Sequence, residues 1–430
     1  MMTLRLITLF CTLVSVLSCT ISPKQVTQVQ QYEAYLLPDN NPDLKTTAAE
    51  LAFWKAKHQK HPEQFPYVAK IASCYNHLFG ITGDIDCLKL AETYYMQAVE
   101  MTHYTNSGYL KSLASNYISQ HKFKAALALL KKAETIGDHL EGTQKMLFDV
   151  HLELGNYDLA KTYLDTFSDD SDFDYLIRVA KWSDHRGQLD VAIKYLEKAR
   201  DKAEFANNKS EKQWIYTNLA DFYGHHGNIE ASYQHFLKAL ELNPNDAYAK
   251  KGIAWIVYSH EKNPKEALRI IESISKNYHD PDYYLLQAEI AEFKGDDKLK
   301  DAFLNTYKIA VDNNNYGDMY NKYNALLYAE NKAESAKALK IAHREINNRP
   351  TPQSYDLLAW TYFNQGDYKD ALQVVETHID GKTFEPEVLF HAAKIYKACG
   401  ALKKVNVLKK ELQESTFELG PLMAQKIENI

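Results

Sequence analysis

The sequence is short of nearly everything that would announce an enzyme or a nucleic-acid binder. It has five cysteines in 430 residues, and no two stand at a metal-type spacing. HExxH, GxSxG and a phosphate-cradling glycine loop are all missing. Neither charge predominates: 50 basic and 56 acidic residues, a formal net charge of −6, lie interspersed, so the basic stripe of a nucleic-acid-binding surface is absent. No stretch shows the period-two alternation of a half-buried strand. The longest apolar run, at the start of the chain, ends at Leu17 and falls short of the roughly 20 residues that span a bilayer. What is present is 45 % hydrophobic and 25 % charged, the composition of a folded chain with a sizeable core.

The opening run carries an address. Arg5 precedes the apolar stretch, which closes on Val16, Leu17, Ser18 and Cys19. This resembles the lipobox of bacterial lipoproteins, and the resemblance implies a signal peptide over 1–18 and an acylated Cys19 as the mature N-terminus. The bland alternative is an ordinary signal peptide cleaved nearby. Several acyl chains on one cysteine would anchor stably, where one chain binds marginally. Residues 19–45 are polar, with Pro23, Pro38 and Pro42, and read as a flexible tether. Cys74, Cys87 and Cys399 remain. Cys74 and Cys87 fall where a bridge is conceivable in an oxidising compartment, and free buried thiols are the favoured alternative.

The main part of the chain is organised around Gln213 to Pro244. Tyr216, Leu219, Ala220 and Tyr223 follow the three-and-four rhythm of one apolar helical face, and Ser232, Phe236 and Ala239 follow it for a second. Small residues at Ala220 and Ser232 let two helices approach closely, Gly227 breaks the chain between them, and Pro244 stops the second. This spacing resembles the tetratricopeptide repeat, W-x2-L-G-x2-Y, then A-x3-F, then P, with Tyr for Trp, Ala for Gly and Ser for Ala. Similar units recur around Gly155, Gly187, Gly295 and Gly366. The spacing predicts a long connecting loop in the first unit, an extended second helix in the fourth, where Arg200–Lys212 inserts about six residues beyond the usual period, and one extra residue in the loop of the sixth. In the seventh, Lys300 occupies a small-residue position. The resemblance implies an all-α, right-handed superhelical solenoid of about ten helix pairs over 46–430: a capping helix at 46–64, repeats at 65–415 and a C-terminal capping segment at 416–430.

The sixteen histidines do not form a usable set. His225 and His226 are adjacent and point to different helix faces, while His58 and His61 lack a third ligand. Asp169, Asp170, Asp172 and Asp174 could be imagined around calcium but lack the glycine and terminal glutamate of an EF-hand loop. A solvated loop with Asp172 as helix N-cap is the better reading. No cofactor or metal is implied, and the chain is read as a non-enzyme.

What is left is the concave surface that stacked first helices create in this family. In that register the inward positions are Trp214 and Asp221, then Tyr248, Lys251, Trp255 and Tyr258, then Asp356, Trp360 and Phe363. Their rings could serve as binding anchors or could pack against neighbouring repeats. The Lys and Asn clamp by which some family members hold C-terminal carboxylates is not matched: Asn218 has Trp214 one turn before it. The expected function is a scaffold lipoprotein of the cell envelope, membrane-anchored through its N-terminus, that binds a protein or peptide segment in its groove. A glycan-capturing outer-membrane lipoprotein is the alternative, since aromatic residues make up 12 % of the chain. Against it, the repeats run almost without long insertions.

Overall fold

A computed structural model describes residues 25–37 and 41–430. The proposed signal peptide and Cys19 lie outside the described residues. Among the described residues there is no strand, and no helix is long and apolar enough to cross a membrane.

A short helix, α1 (Val29–Leu36), precedes α2 (Pro42–Lys60), and ten helix pairs follow. The first five are α3 (Phe65–Thr82) with α4 (Ile85–Met101), α5 (Ser107–Ser119) with α6 (Phe123–Ile136), α7 (Leu140–Glu153) with α8 (Tyr157–Thr166), α9 (Phe173–His185) with α10 (Leu189–Phe205), and α11 (Lys209–His225) with α12 (Ile229–Leu242). The next three are α13 (Ala247–Trp255) with α14 (Pro264–Ser275), α15 (Asp282–Phe293) with α16 (Asp297–Val311), and α17 (Asn321–Glu330) with α18 (Ser335–Asn348). The last two are α19 (Pro352–Gln365) with α20 (Tyr368–His378) and α21 (Pro386–Ala398) with α22 (Leu402–Glu414), and α23 (Thr416–Glu428) ends the chain.

The central pair shows why these residues fold this way. Leu219, Ala220, Ser232, Phe236 and Ala239 are all buried, so the small residues lie at the helix crossing and the ring fills the space beside it. Gly227 takes φ 82°, the left-handed backbone that closes a helix and that a side chain would strain. Asn228 then caps α12 by accepting from the Ala231 amide at 3.2 Å. Asp172 does the same for α9, accepting from the Tyr175 amide at 3.0 Å.

Three expectations are resolved locally. The long loop of the first unit does not exist: α3 continues to Thr82 and α4 starts at Ile85. Lys300 forms an ion pair with Glu292 at 2.6 Å, while α16 buries Tyr307 and packs Leu299 and Phe303 against the core. Cys74, Cys87 and Cys399 are free thiols, but Cys399 is exposed because it lies at the end of α21.

The larger correction concerns the N-terminal segment. Residues 25–37 fall within the stretch read as a flexible tether, yet they dock on α12 and α14. Tyr32 is 1 % exposed, and its hydroxyl donates to Glu266 at 2.7 Å. Glu261 accepts from the amides of Val26 and Thr27 at 2.8 and 2.6 Å, and Arg269 grips both oxygens of Glu33 at 3.0 and 2.6 Å. A polar composition does not prevent order when single residues have buried partners elsewhere.

The repeats wind far enough for the chain to meet itself. The His279 amide donates to the Thr82 carbonyl at 2.8 Å, Asn315 bonds Asp86 at 2.6 Å, and Arg349 reaches Glu153 at 3.4 Å. These partners are 196 to 229 residues apart, or about six repeats of roughly 34 residues. Successive superhelical turns therefore stack.

Candidate functional site: the inner groove and the segment that fills it

The inner wall runs over α11, α13 and α15. Trp214 is 40 % and Tyr248 53 % exposed. Trp214 meets Phe173 edge to face, and the Tyr248 hydroxyl donates to Asp221. Lys251 pairs with Asp282 at 2.8 Å and lies over the Tyr283 ring. Farther along, Lys322 pairs with Glu387 at 2.7 Å.

The other inward positions read from the sequence are not open. Tyr258 is fully buried, with its hydroxyl donating to Glu289 at 3.1 Å. Asp356 and Trp360 are 3 % and 8 % exposed. The Asp356 carboxylate is bonded to His391 Nδ1 at 2.8 Å, and Trp360 stacks on the same imidazole and on Phe363. Asp356, Trp360 and Phe363 are packing elements because α21 and α23 cover this part of α19.

Trp255 has a third fate. After it the helix widens into a π-turn over Ile256–His260, with the Glu261 amide donating to the Ile256 carbonyl at 3.1 Å. A π-turn absorbs one extra residue within a helix, which is where the additional residue of this repeat goes. Trp255 and Ser259 then point together at one acceptor. Trp255 Nε1 donates to the Phe417 carbonyl at 3.1 Å and Ser259 Oγ donates to the same oxygen at 2.6 Å.

Phe417 belongs to α23, which packs on α11, α15 and the π-turn as well as on α21 and α22. Leu419, Met423 and Ile427 join the core of the last repeats, while Phe417 and Gly420 enter the groove. The helix breaks at Gly420 (φ 80°, ψ 167°) and restarts at Pro421. A Cβ on Gly420 would lie 2.8 Å from Glu289 and 3.1 Å from the Trp255 ring. On the opposite wall, a Cβ on Gly224 would come within 2.6 Å of the Phe417 ring. Both positions need glycine for close approach. Gly224, Ser259, Asp282, Glu289 and Phe417 are site residues that repeat spacing did not single out. The Gly420–Pro421 break inside an otherwise helical segment was the one readable sign.

The wall is acidic, and its carboxyls bind protons more tightly than free ones do. Burial pushes Asp221 up to about 6, with the Tyr248 hydroxyl, His225 and Lys251 opposing. Burial likewise takes Asp282 to about 6 against the pull of Lys251. It takes Glu289 to about 7, with Glu292 and Glu387 adding to the effect and Tyr258 and Lys426 opposing it. A carboxyl whose native pKa is raised binds protons more tightly when folded, so its stabilisation is full below about pH 4 and is lost as pH rises towards 7. Glu289→Gln removes one such group and keeps an acceptor for Tyr258. Its unfolding midpoint should match the wild type at pH 4.5 and exceed it at pH 8; equal midpoints at both would refute the assignment.

Elsewhere the acidic loop is used for pairing. Lys145 meets Asp172 at 2.6 Å, Glu141 at 2.8 Å and Asp174 at 3.4 Å, and Lys198 meets Asp170 at 3.4 Å. Among the described residues no group of three or more His, Cys, Asp or Glu is placed to hold a metal ion. His226 pairs with Asp190 at 2.9 Å, whereas His225 faces Glu418 at 3.8 Å across the groove.

Comparison with known proteins agrees with the repeat geometry. The tetratricopeptide repeat family model matches residues 215–246. Response regulator aspartate phosphatase E of Bacillus subtilis (strain 168) is 29 % identical over 189 residues, covering 43 % of this chain and 45 % of that protein. The chain thus spans less than half the length of that relative. Among solved structures, the human IFIT1 dimer with PPP-AAAA has a TM-score of 0.46 at 14 % identity, over 73 % of this chain and 71 % of that one. Pseudomonas aeruginosa pilF has a TM-score of 0.37 at 16 % identity, over 50 % of this chain and 96 % of that one. Residues 215–246 thus match the tetratricopeptide repeat, and they lie near the middle of ten helix pairs that form an all-α solenoid.

Proposed function

We propose that this protein is a non-enzymatic scaffold of the bacterial cell envelope that binds a protein or peptide segment in its inner groove. One observation carries the reading: the groove is already furnished to receive a peptide chain. Two side-chain donors on α13 and its π-turn converge on a backbone carbonyl, and a glycine on α11 leaves room for the aromatic ring of the same residue. Backbone recognition flanked by side-chain pockets is how grooves bind extended segments. Beside this occupied stretch, Trp214 and Tyr248 offer half-exposed rings, the kind of anchor that holds a partner side chain.

A lipid on Cys19 would supply the membrane attachment. Because residues 25–37 dock on α12 and α14, only about six residues separate Cys19 from the folded body, a reach of ~20 Å at most. The anchor would therefore hold the convex side of the central repeats close to the bilayer and leave the groove facing away. Replacing Tyr248 by a photo-crosslinking phenylalanine analogue in the native cells tests the groove. The expected product is a defined crosslinked protein segment, lost when Trp214 is also changed to Ala. Absence of any protein adduct, with glycan recovered instead, would favour sugar capture. Incorporation of labelled palmitate, abolished by Cys19→Ser, tests the anchor separately.

A further inference from the structure

Most of what holds Phe417 in the groove would hold another chain equally well. The Trp255 and Ser259 donors see only a main-chain carbonyl, the space at Gly224 sees only a ring, and the close approach of Trp255 and Glu289 asks only for a glycine. The exception is Glu418. It enters beside Asp184 and Glu385, and the His225 ring Nδ1 lies 3.8 Å from its carboxylate. Lys322 pulls on it from farther away but is already committed to Glu387 at 2.7 Å. Burial and Glu385 push the Glu418 carboxyl up to about 7. Desolvation by the surrounding protein, with Glu385 and Glu418, pushes Asp184 up, with His225 opposing, although the Asp184 side chain itself stays exposed. Glu418 thus adds a third carboxylate beside the exposed Asp184 and Glu385, a like-charge contact that solvent screens only in part. The docked segment fits the groove by shape and main-chain bonding while placing the wrong charge in it.

We propose that Thr416–Pro421 is an exchangeable self-ligand, and that the external partner is a peptide segment with an aromatic residue in the place of Phe417 followed directly by Lys or Arg. The partner's cation meets Asp184 and Glu385, which Glu418 leaves uncompensated. This rests on the groove-binding reading above and gives that partner its chemistry. A tethered segment competes at an effective concentration on the order of millimolar, so a free peptide displaces it only by binding better. Reversing the charge beside Asp184 and Glu385 supplies that advantage.

The test uses the full chain and three fluorescein-labelled peptides: residues 415–422, the same peptide with Glu418→Lys, and that one with Phe417→Ala as well. Anisotropy at pH 7.5 and low salt should show the lysine peptide binding at least ten-fold tighter than the native-sequence peptide. The peptide without the ring should lose this binding. Phe417→Ala in the protein, which weakens the self-ligand, should tighten binding of the lysine peptide further. If that variant does not fold, Glu418→Lys in the full chain gives the converse: the segment docks more firmly, hydrogen exchange over 416–421 slows, and the lysine peptide is excluded. In the wild type, the lysine peptide should speed exchange over the same residues. Equal affinity for the lysine and native-sequence peptides overturns the charge assignment while leaving groove binding intact. Lysine-peptide binding without faster exchange at 416–421 overturns the self-ligand. No binding to any folded form overturns the whole inference, and the crosslink at Tyr248 then judges the groove reading by itself.

Discussion

Removing the Phe236 ring should destabilise the protein by about 4 kcal/mol, within the range for emptying a buried phenylalanine site. Phe236 is 2 % exposed and fills the angle between α12 and α13. The backbone of Gly252 lies so close that a Cβ there would come within 2.1 Å of the ring. Gly252→Ala alone should therefore cost about 1–3 kcal/mol through overpacking, despite the roughly 1 kcal/mol that alanine normally adds in a helix. In the Phe236→Ala background the sign should reverse, because the new methyl enters the vacated space and the helical preference is expressed. Urea titrations of the four proteins give the coupling energy directly. Additive losses would mean that the two residues do not share one space, and the packing account of this crossing would fail.

Arg349→Ala should open the superhelix. Arg349 bridges two turns: its guanidinium lies 3.4 Å from Glu153 on α7 and 3.4 Å from Glu345 on α18, above the Phe123 ring at 5.5 Å. Beside it, the carbonyl of Pro350 abuts Gly155, where a Cβ would lie 3.4 Å away. Glu345 is 5 % exposed and would keep only Asn321 as donor, at 2.7 Å. Stranding a buried carboxylate in this way costs about 3 kcal/mol. Stability should fall, and the radius of gyration from solution scattering should rise as the turns separate. Arg349→Lys retains the charge without the planar fork or the ring stacking and should fall between. A chain with an unchanged radius and midpoint would show that the turns are held together elsewhere.

The expectations that held and those that did not divide by distance along the chain. Gly227, Ala220, Ser232 and Phe236 act on neighbours within one pair, so their spacing was enough to place them. The extra residue of the sixth repeat was visible as a count, but that it would form a π-turn and turn Trp255 and Ser259 toward a common acceptor was not. Trp360 and Trp214 hold comparable places in their repeats. One is stacked between His391 and Phe363 and the other is half open, because only Trp360 is covered by the last helices. Tyr32, in a stretch that reads as linker, is buried through partners more than 200 residues away.

The sequence by itself determined the repeat, its number of copies and the all-helical architecture, since these follow from periodicities three, four and about 34 residues long. Only the tertiary structure decided the radius of the superhelix, which walls are open and what occupies them. Those depend on small rotations summed over about six repeats, which bring Thr82 to His279 and Trp255 to Phe417. No local pattern encodes such a sum.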